Sequence, residues 1–164
     1  MKIDLRELIN GRVEAVPFEI DYDIDIEEFF EATGIIEATP IHSTGKVIMV
    51  GSELFLEMNM DGQMIFNCSR CLERVEVNFN KKLNKMLLTE ESDDIDTIVI
   101  DKNHLDLVET IKEEIILNLP TQVLCSKDCK GLCPICGINL NYETCSCEDE
   151  KIDPRFEILD DFFS

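Results

Sequence analysis

The sequence predicts an α+β fold: an antiparallel, strongly twisted or barrel-like sheet with one main helix and a C-terminal zinc-binding cysteine cluster. Three observations predict it. Apolar and polar residues alternate from Val16 to Ile26 and again between about 46 and 79, the period-2 signature of half-buried strands. One capped run, 106–119, places its apolar residues at helical spacing. Eight cysteines fall into four close pairs, three of them between 125 and 147.

In "VPFEIDYDIDI", Val16, Phe18, Ile20, Tyr22, Ile24 and Ile26 alternate with Pro17, Glu19, Asp21, Asp23 and Asp25, which predicts a strand with an acidic outer face. Strands are expected at about 46–50, 53–60 and 63–68, with Asp61-Gly62 as a type I′ hairpin turn because that dipeptide tolerates positive φ at both central positions. The third of these strands delivers Cys68. Beyond Cys71, Val75, Val77 and Phe79 share one face, so Cys68 and Cys71 are expected at a hairpin tip. "TEESDDID" (89–96) reads as a solvated acidic loop, followed by the apolar run Ile98, Val99 and Ile100. The main helix spans about 106–118. Asp106 stands at its N-cap, Glu109 three residues on completes a capping-box pattern, and Pro120 ends it. Leu107, Val108, Ile111, Ile115 and Leu119 form its apolar side. A last short helix is expected in "DPRFEILDDFF", with Asp153 as cap and Pro154 at the first helical position. The chain thus divides into a β body (1–122), a zinc-binding segment (123–150) packed on the Cys68/Cys71 hairpin, and a C-terminal helix (151–164).

At 164 residues the chain is long enough to bury roughly two-thirds of its unfolded surface without cross-links. Its 35 Asp and Glu against 15 Lys and Arg give a formal charge of −20. Such a balance repels naked nucleic acid at long range, so any RNA contact is expected to be local or indirect. The first ten residues, "MKIDLRELIN", lack an apolar signal core, and no run approaches 18 apolar residues; the expectation is a cytoplasmic protein that does not enter membranes.

In a reducing compartment, cysteines are better metal ligands or redox groups than structural disulfides. The pairs are Cys68 with Cys71, Cys125 with Cys129, Cys133 with Cys136, and Cys145 with Cys147. Eight thiolates are what two tetrahedral zinc sites need, and a tight turn between paired cysteines aims both sulfurs at one ion. In "CPICG", Gly137 can take the positive φ that lets backbone amides face the sulfurs; "CSRCL" lacks that glycine. The preferred grouping joins Cys68, Cys71, Cys125 and Cys129 in one site and Cys133, Cys136, Cys145 and Cys147 in the other. Uniting Cys125, Cys129, Cys133 and Cys136 is the alternative. Arg70, Arg74, Lys127 and Lys130 beside the knuckles would offset part of the thiolate charge. Buried free cysteines can be plain small hydrophobes, but the repeated close spacing argues otherwise. The spacing is not that of ferredoxins, and the strand-strand flanks of Cys68/Cys71 do not suit a thioredoxin-like pair. His42 and His104 read as surface histidines. No glycine-rich phosphate loop and no Ser/His/Asp set is recognisable, so no catalytic residue is expected.

At "NCSRCLERVEV", "EEIILNLPTQVLCSKDCKGLCPICGINLN" and "IDPRFEILDDF" the chain resembles the YceD family of bacterial large ribosomal RNA subunit accumulation proteins. The resemblance implies a cytoplasmic, non-enzymatic role in large-subunit biogenesis, acting on 23S rRNA accumulation. It also implies a genetic neighbourhood shared with a small zinc-ribbon protein of that subunit. The charge favours a basic ribosomal protein, or a large-subunit assembly intermediate carrying one, as partner over naked RNA, since an acidic surface can shield Lys/Arg clusters. The candidate surface is Glu19, Asp21, Asp23 and Asp25, extended by Asp93, Asp94 and Asp96. The competing reading is a redox-regulated zinc chaperone that loses its metal when "CSC" and "CPIC" are oxidised.

Overall fold

The structure is a computed structural model that describes residues 1–27, 34–90, 94 and 96–147. Its elements run β1 (Lys2–Asp4), α1 (Arg6–Ile9), β2 (Ala15–Tyr22), β3 (Ile35–Ala38), β4 (Ile41–Val50), β5 (Glu53–Asn67), β6 (Arg74–Leu88), β7 (Thr97–Val99), β8 (His104–Asp106) and α2 (Leu107–Asn118). The main sheet has the order β2-β4-β5-β6-β7, with β3 pairing the far end of β5 beyond the reach of β4. All pairings in it are antiparallel except β6 with β7.

The sheet is open and mixed, which corrects the barrel-like expectation. Among the described residues its outer strands β2 and β7 end the pairing order and are not joined. The inner face is covered instead by α2, whose Leu107, Ile111 and Ile115 share one buried cluster with Met58, Met64, Phe79, Leu83 and Leu87. A helix laid on one face buries the apolar row that closure would otherwise have to hide.

The expected turn at Asp61-Gly62 does not exist: β5 runs through it unbroken for 15 residues, with Asp61 opposite Asn80 and Gly62 opposite Phe79. Leu54, Leu56, Met58, Met60, Met64 and Phe66 are all buried, a single period-2 row in which Gly62 fills the missing place. A side chain at Gly62 would collide with Ile41 Cδ1, so glycine serves close packing there and not reversal. The hairpin reverses at Gly51-Ser52, between β4 and β5, where Gly51 has φ +65°.

The acidic strand is shorter than expected, ending at Tyr22 opposite Ile41. The next partner would be Pro40, which has no N–H to give a ladder. Ile24, Asp23 and Asp25 therefore lie beyond the strand, and β4 reaches back to Ile41 where 46 was expected. Val16, Phe18 and Ile20 do turn toward the core, and Phe18 lies over the side-chain-free Gly45.

Helix α2 begins as its cap predicts, with Asp106 accepting a hydrogen bond from Val108 N at 3.2 Å. Its inward side also carries charge. Glu114, 3% exposed, pairs with Lys85 of β6, and Asn118 donates to Glu114 Oε2 at 3.2 Å while accepting from Lys81 Nζ at 2.6 Å. The N-terminus, for which no element was expected, adds a strand: β1 pairs with β8, and Leu5 and Leu8 are buried. Among the described residues no helix is long and apolar enough to cross a membrane. The helix expected in 151–164 and residues 91–93 and 95 of the acidic loop 89–96 lie outside the described residues.

Candidate metal centre

The long β5–β6 hairpin sets the site. Its strands pair up to Asn67↔Arg74, and the six residues between them form a knuckle in which Cys68 N donates to Glu73 O at 2.7 Å and Leu72 N to Cys68 O at 3.0 Å. The second knuckle repeats the pattern, with Cys133 N donating to Ile138 O and Gly137 N to Cys133 O, both at 2.9 Å. Leu72 has φ +63° and Gly137 φ +74°. The first knuckle thus adopts the left-handed turn despite lacking the glycine.

Two groups of four sulfurs result, Cys68 with Cys71, Cys125 and Cys129, and Cys133 with Cys136, Cys145 and Cys147, each set lying within 4.8 Å of one another. The cysteines of the alternative grouping are divided between these two. Cys68 and Cys129 sulfurs are 3.8 Å apart, Cys71 and Cys125 sulfurs 3.5 Å. Sulfurs at the corners of a tetrahedron with bonds of about 2.3 Å stand about 3.8 Å apart, so the first cluster has the size of a zinc shell.

Segment 123–132 docks on the hairpin through Ser69 N to Val123 O (2.8 Å), Leu132 N to Arg70 O (3.1 Å) and Arg70 Nη1 to Cys129 O (2.8 Å). Gly131, φ +78°, passes so close to Arg70 that a Cβ would come 3.1 Å from its carbonyl oxygen. Arg74, expected beside the thiolates, pairs with Glu37 instead. Sequence reasoning missed a polar bracket. Asn141 Nδ2 points at Cys129 Sγ (3.4 Å) and at Asn139 Oδ1 (2.8 Å), its Oδ1 accepts from Lys130 N (2.8 Å), and Asn139 reaches Glu73 at 3.3 Å. Two asparagines in "GINLNY" were the available signal, since short amides readily bond turn backbone.

Backbone amides favour charge on selected sulfurs. Burial opposes a thiolate at Cys68, but N–H groups of Arg70, Cys125 and Cys71 prevail and bring the thiol down to about 6. At Cys71 the Glu73 N–H favours ionisation, yet burial and the facing sulfurs push it up to about 12. In the second cluster N–H groups of Cys136 and Ile135 bring Cys133 down to about 6, while the Cys136 sulfur and burial push Cys147 up to about 12. Four sulfurs so close cannot all be charged unaided; a divalent cation among them removes the conflict and deprotonates the set. The donor set therefore fits a thiophilic ion such as zinc.

Fold and site together define a β-sheet protein with two cysteine-knuckle clusters, each able to hold a metal ion. The chain belongs to the YceD family, large ribosomal RNA subunit accumulation protein YceD, which matches residues 56–163. It is similar to YlbN of Bacillus subtilis, 27% identical over 150 residues that cover 87% of this chain and 86% of that protein. Rv2926c of Mycobacterium tuberculosis is 34% identical over 99 residues, 56% of this chain and 47% of its own length. The chloroplastic large ribosomal RNA subunit accumulation protein YCED homolog 1 of Arabidopsis thaliana is 26% identical over 152 residues, 73% of this chain and 47% of its own. The chain thus spans about half the length of the latter two relatives. No solved structure matches it.

Proposed function

We propose that this chain is a non-catalytic, zinc-binding factor of large ribosomal subunit biogenesis that acts in the cytoplasm on the accumulation of 23S rRNA. The observation that carries the reading is the span of the family match, 56–163, which takes in all eight cysteines together with β6 and α2. In this reading Cys68, Cys71, Cys125 and Cys129 hold one zinc ion and Cys133, Cys136, Cys145 and Cys147 a second. Zinc supplies the cross-link that unites hairpin and segment 123–132; the chain's own groups place the sulfurs and neutralise part of their charge.

The partner is a basic ribosomal protein or an assembly intermediate that presents one, because a chain of charge −20 attracts Lys/Arg clusters and repels bare phosphate. Glu19 and Asp21 on the outer side of β2, with exposed Asp23 beyond it, are the contact region. Asp93 lies outside the described residues. A second reading, the redox-regulated zinc chaperone, draws support from the exposure of Cys136 and Cys147.

The test is removal of the chain from its own cell and measurement of mature 23S rRNA, followed by return of wild-type protein or of Glu19→Gln/Asp21→Asn/Asp23→Asn. Loss of 23S relative to 16S rRNA that wild type restores is expected; undisturbed 23S levels would discard the proposal. Failure of the triple variant, with its circular dichroism intact, supports an acidic docking surface. Cleavage of precursor rRNA by the purified protein would overturn the non-catalytic reading, and zinc loss with exposed apolar surface under mild peroxide would favour the chaperone.

A further inference from the structure

The two clusters are built differently. In the first, Cys68, Cys71 and Cys129 are buried, and Cys125 alone is exposed. Its ligands come from two segments 54 to 61 residues apart, and Val75, Leu124 and Leu132 pack on it. Its sulfurs receive Cys125 N and Asn141 Nδ2, each at 3.4 Å. In the second, Cys133 alone is buried, Cys145 is half-buried, and Cys136 and Cys147 are exposed. All four ligands lie within 15 residues of chain, and Cys145 and Cys147 stand in a stretch without helix or strand.

We propose that the second cluster is an exchangeable metal site, open to sulfur ligands from outside the protein, while the first is a closed brace. The inference rests on reading both clusters as zinc centres. Exchange at a filled four-thiolate shell needs room for a fifth donor and a ligand free to leave. Cys136 and Cys147 face solvent and provide the first; the 145–147 stretch, which no helix or strand ladder holds, allows the second. An incoming thiolate forms one metal–sulfur bond, the bond to Cys147 breaks, and the freed Cys147 thiolate takes a proton from water. No electron changes hands. At the first cluster only Cys125 is exposed, its own N–H is bonded to Cys68 Sγ, and departure of any of the three buried cysteines would strand a charge in an apolar pocket. The external ligand is thus a thiol-bearing peptide or small thiol.

The experiment follows zinc release from the full chain, loaded with two equivalents, into a chromogenic chelator with and without glutathione. One equivalent is expected to leave fast, the faster with glutathione, and the other roughly tenfold or more slowly, the scale on which outer-shell contacts act. Cys147→Ser, with circular dichroism intact, is expected to hold one equivalent and to lack the fast phase. Asn141→Ala is expected to quicken the slow phase only. Release of both ions in one phase, or a Cys147→Ser protein that keeps the fast phase, overturns the exchangeable site while leaving two zinc centres standing. A wild-type chain that takes up fewer than two equivalents overturns the metal reading itself, and the proposal with it.

Discussion

Leu72 and Gly137 occupy the same position one residue after a Cys-x-x-Cys knuckle, with the same left-handed φ (+63° and +74°) and the same hydrogen bond to the first cysteine of their pair. For leucine that conformation costs about 1–2 kcal/mol, and glycine gives back part of the gain as unfolded-state entropy. Leu72 is 62% exposed, so little burial is lost on removing its side chain. Leu72→Gly is therefore expected to raise stability by roughly 0.5 kcal/mol, read from a denaturant midpoint. Gly137→Leu, at a position where no described residue comes within 4 Å of a Cβ, is expected to cost about 1–2 kcal/mol from backbone strain. A loss at Leu72→Gly would show that its side chain serves packing.

How much of this was legible follows from which residues set each feature. Each cysteine pair was readable because a turn of one to three intervening residues brings two sulfurs together whatever surrounds them. The cap Asp106 was readable for the same local reason. Gly62 was misread because its role depends on Ile41, twenty-one positions away, and no local pattern distinguishes a turn glycine from a packing glycine. Lys85 and Glu114 were invisible as a pair, since only the seating of α2 on β6 brings them together. The end of β2 was set by Pro40 of the partner strand, again a non-local cause.

The packing role of Gly62 has a direct consequence. Its Cβ would meet Cδ1 of Ile41, an atom that valine lacks, and Ile41 is fully buried. Gly62→Ala alone is expected to destabilise by about 1–3 kcal/mol, the usual cost of overpacking. Ile41→Val alone is expected to cost about 0.5–1.5 kcal/mol. The double variant is expected to be more stable than the sum of the two losses predicts, because the methyl groups exchange places. Additive losses in thermal unfolding would place the strain elsewhere.

Lys85 is the partner of a carboxylate whose side chain is 4% exposed, and its own side chain is 11% exposed. Removing one member of such a pair leaves an uncompensated charge in the interface of α2 and β6. Lys85→Met is expected to cost about 3–5 kcal/mol. Lys85→Met/Glu114→Leu is expected to recover most of it, since an apolar pair of similar volume needs no charge compensation. Equal instability of single and double variants in urea unfolding would show that Asn118 and Lys81 depend on Glu114 for their own placement.

His42 lies between two carboxylates of β2, with Nδ1 2.7 Å from Asp21 and Nε2 3.8 Å from Glu19. The hydrogen bond to Asp21, followed against burial by the charges of Asp21, Glu19 and Asp61, raises its pKa above the usual 6.5. The sign follows from the proton count. A raised folded-state pKa means the protonated form is favoured by folding, so this contribution is fully present below the unfolded value of about 6.5. It is lost as pH rises through the folded value. The imidazolium also cancels part of the negative charge of the outer face, so that face becomes more acidic as His42 deprotonates. Binding of a basic partner is accordingly expected to strengthen as pH rises through the His42 midpoint, and His42→Gln is expected to remove that pH dependence. An NMR titration places the midpoint, and partner association measured on both sides of it provides the comparison. Identical pH profiles for wild type and His42→Gln would separate this face of β2 from the binding surface.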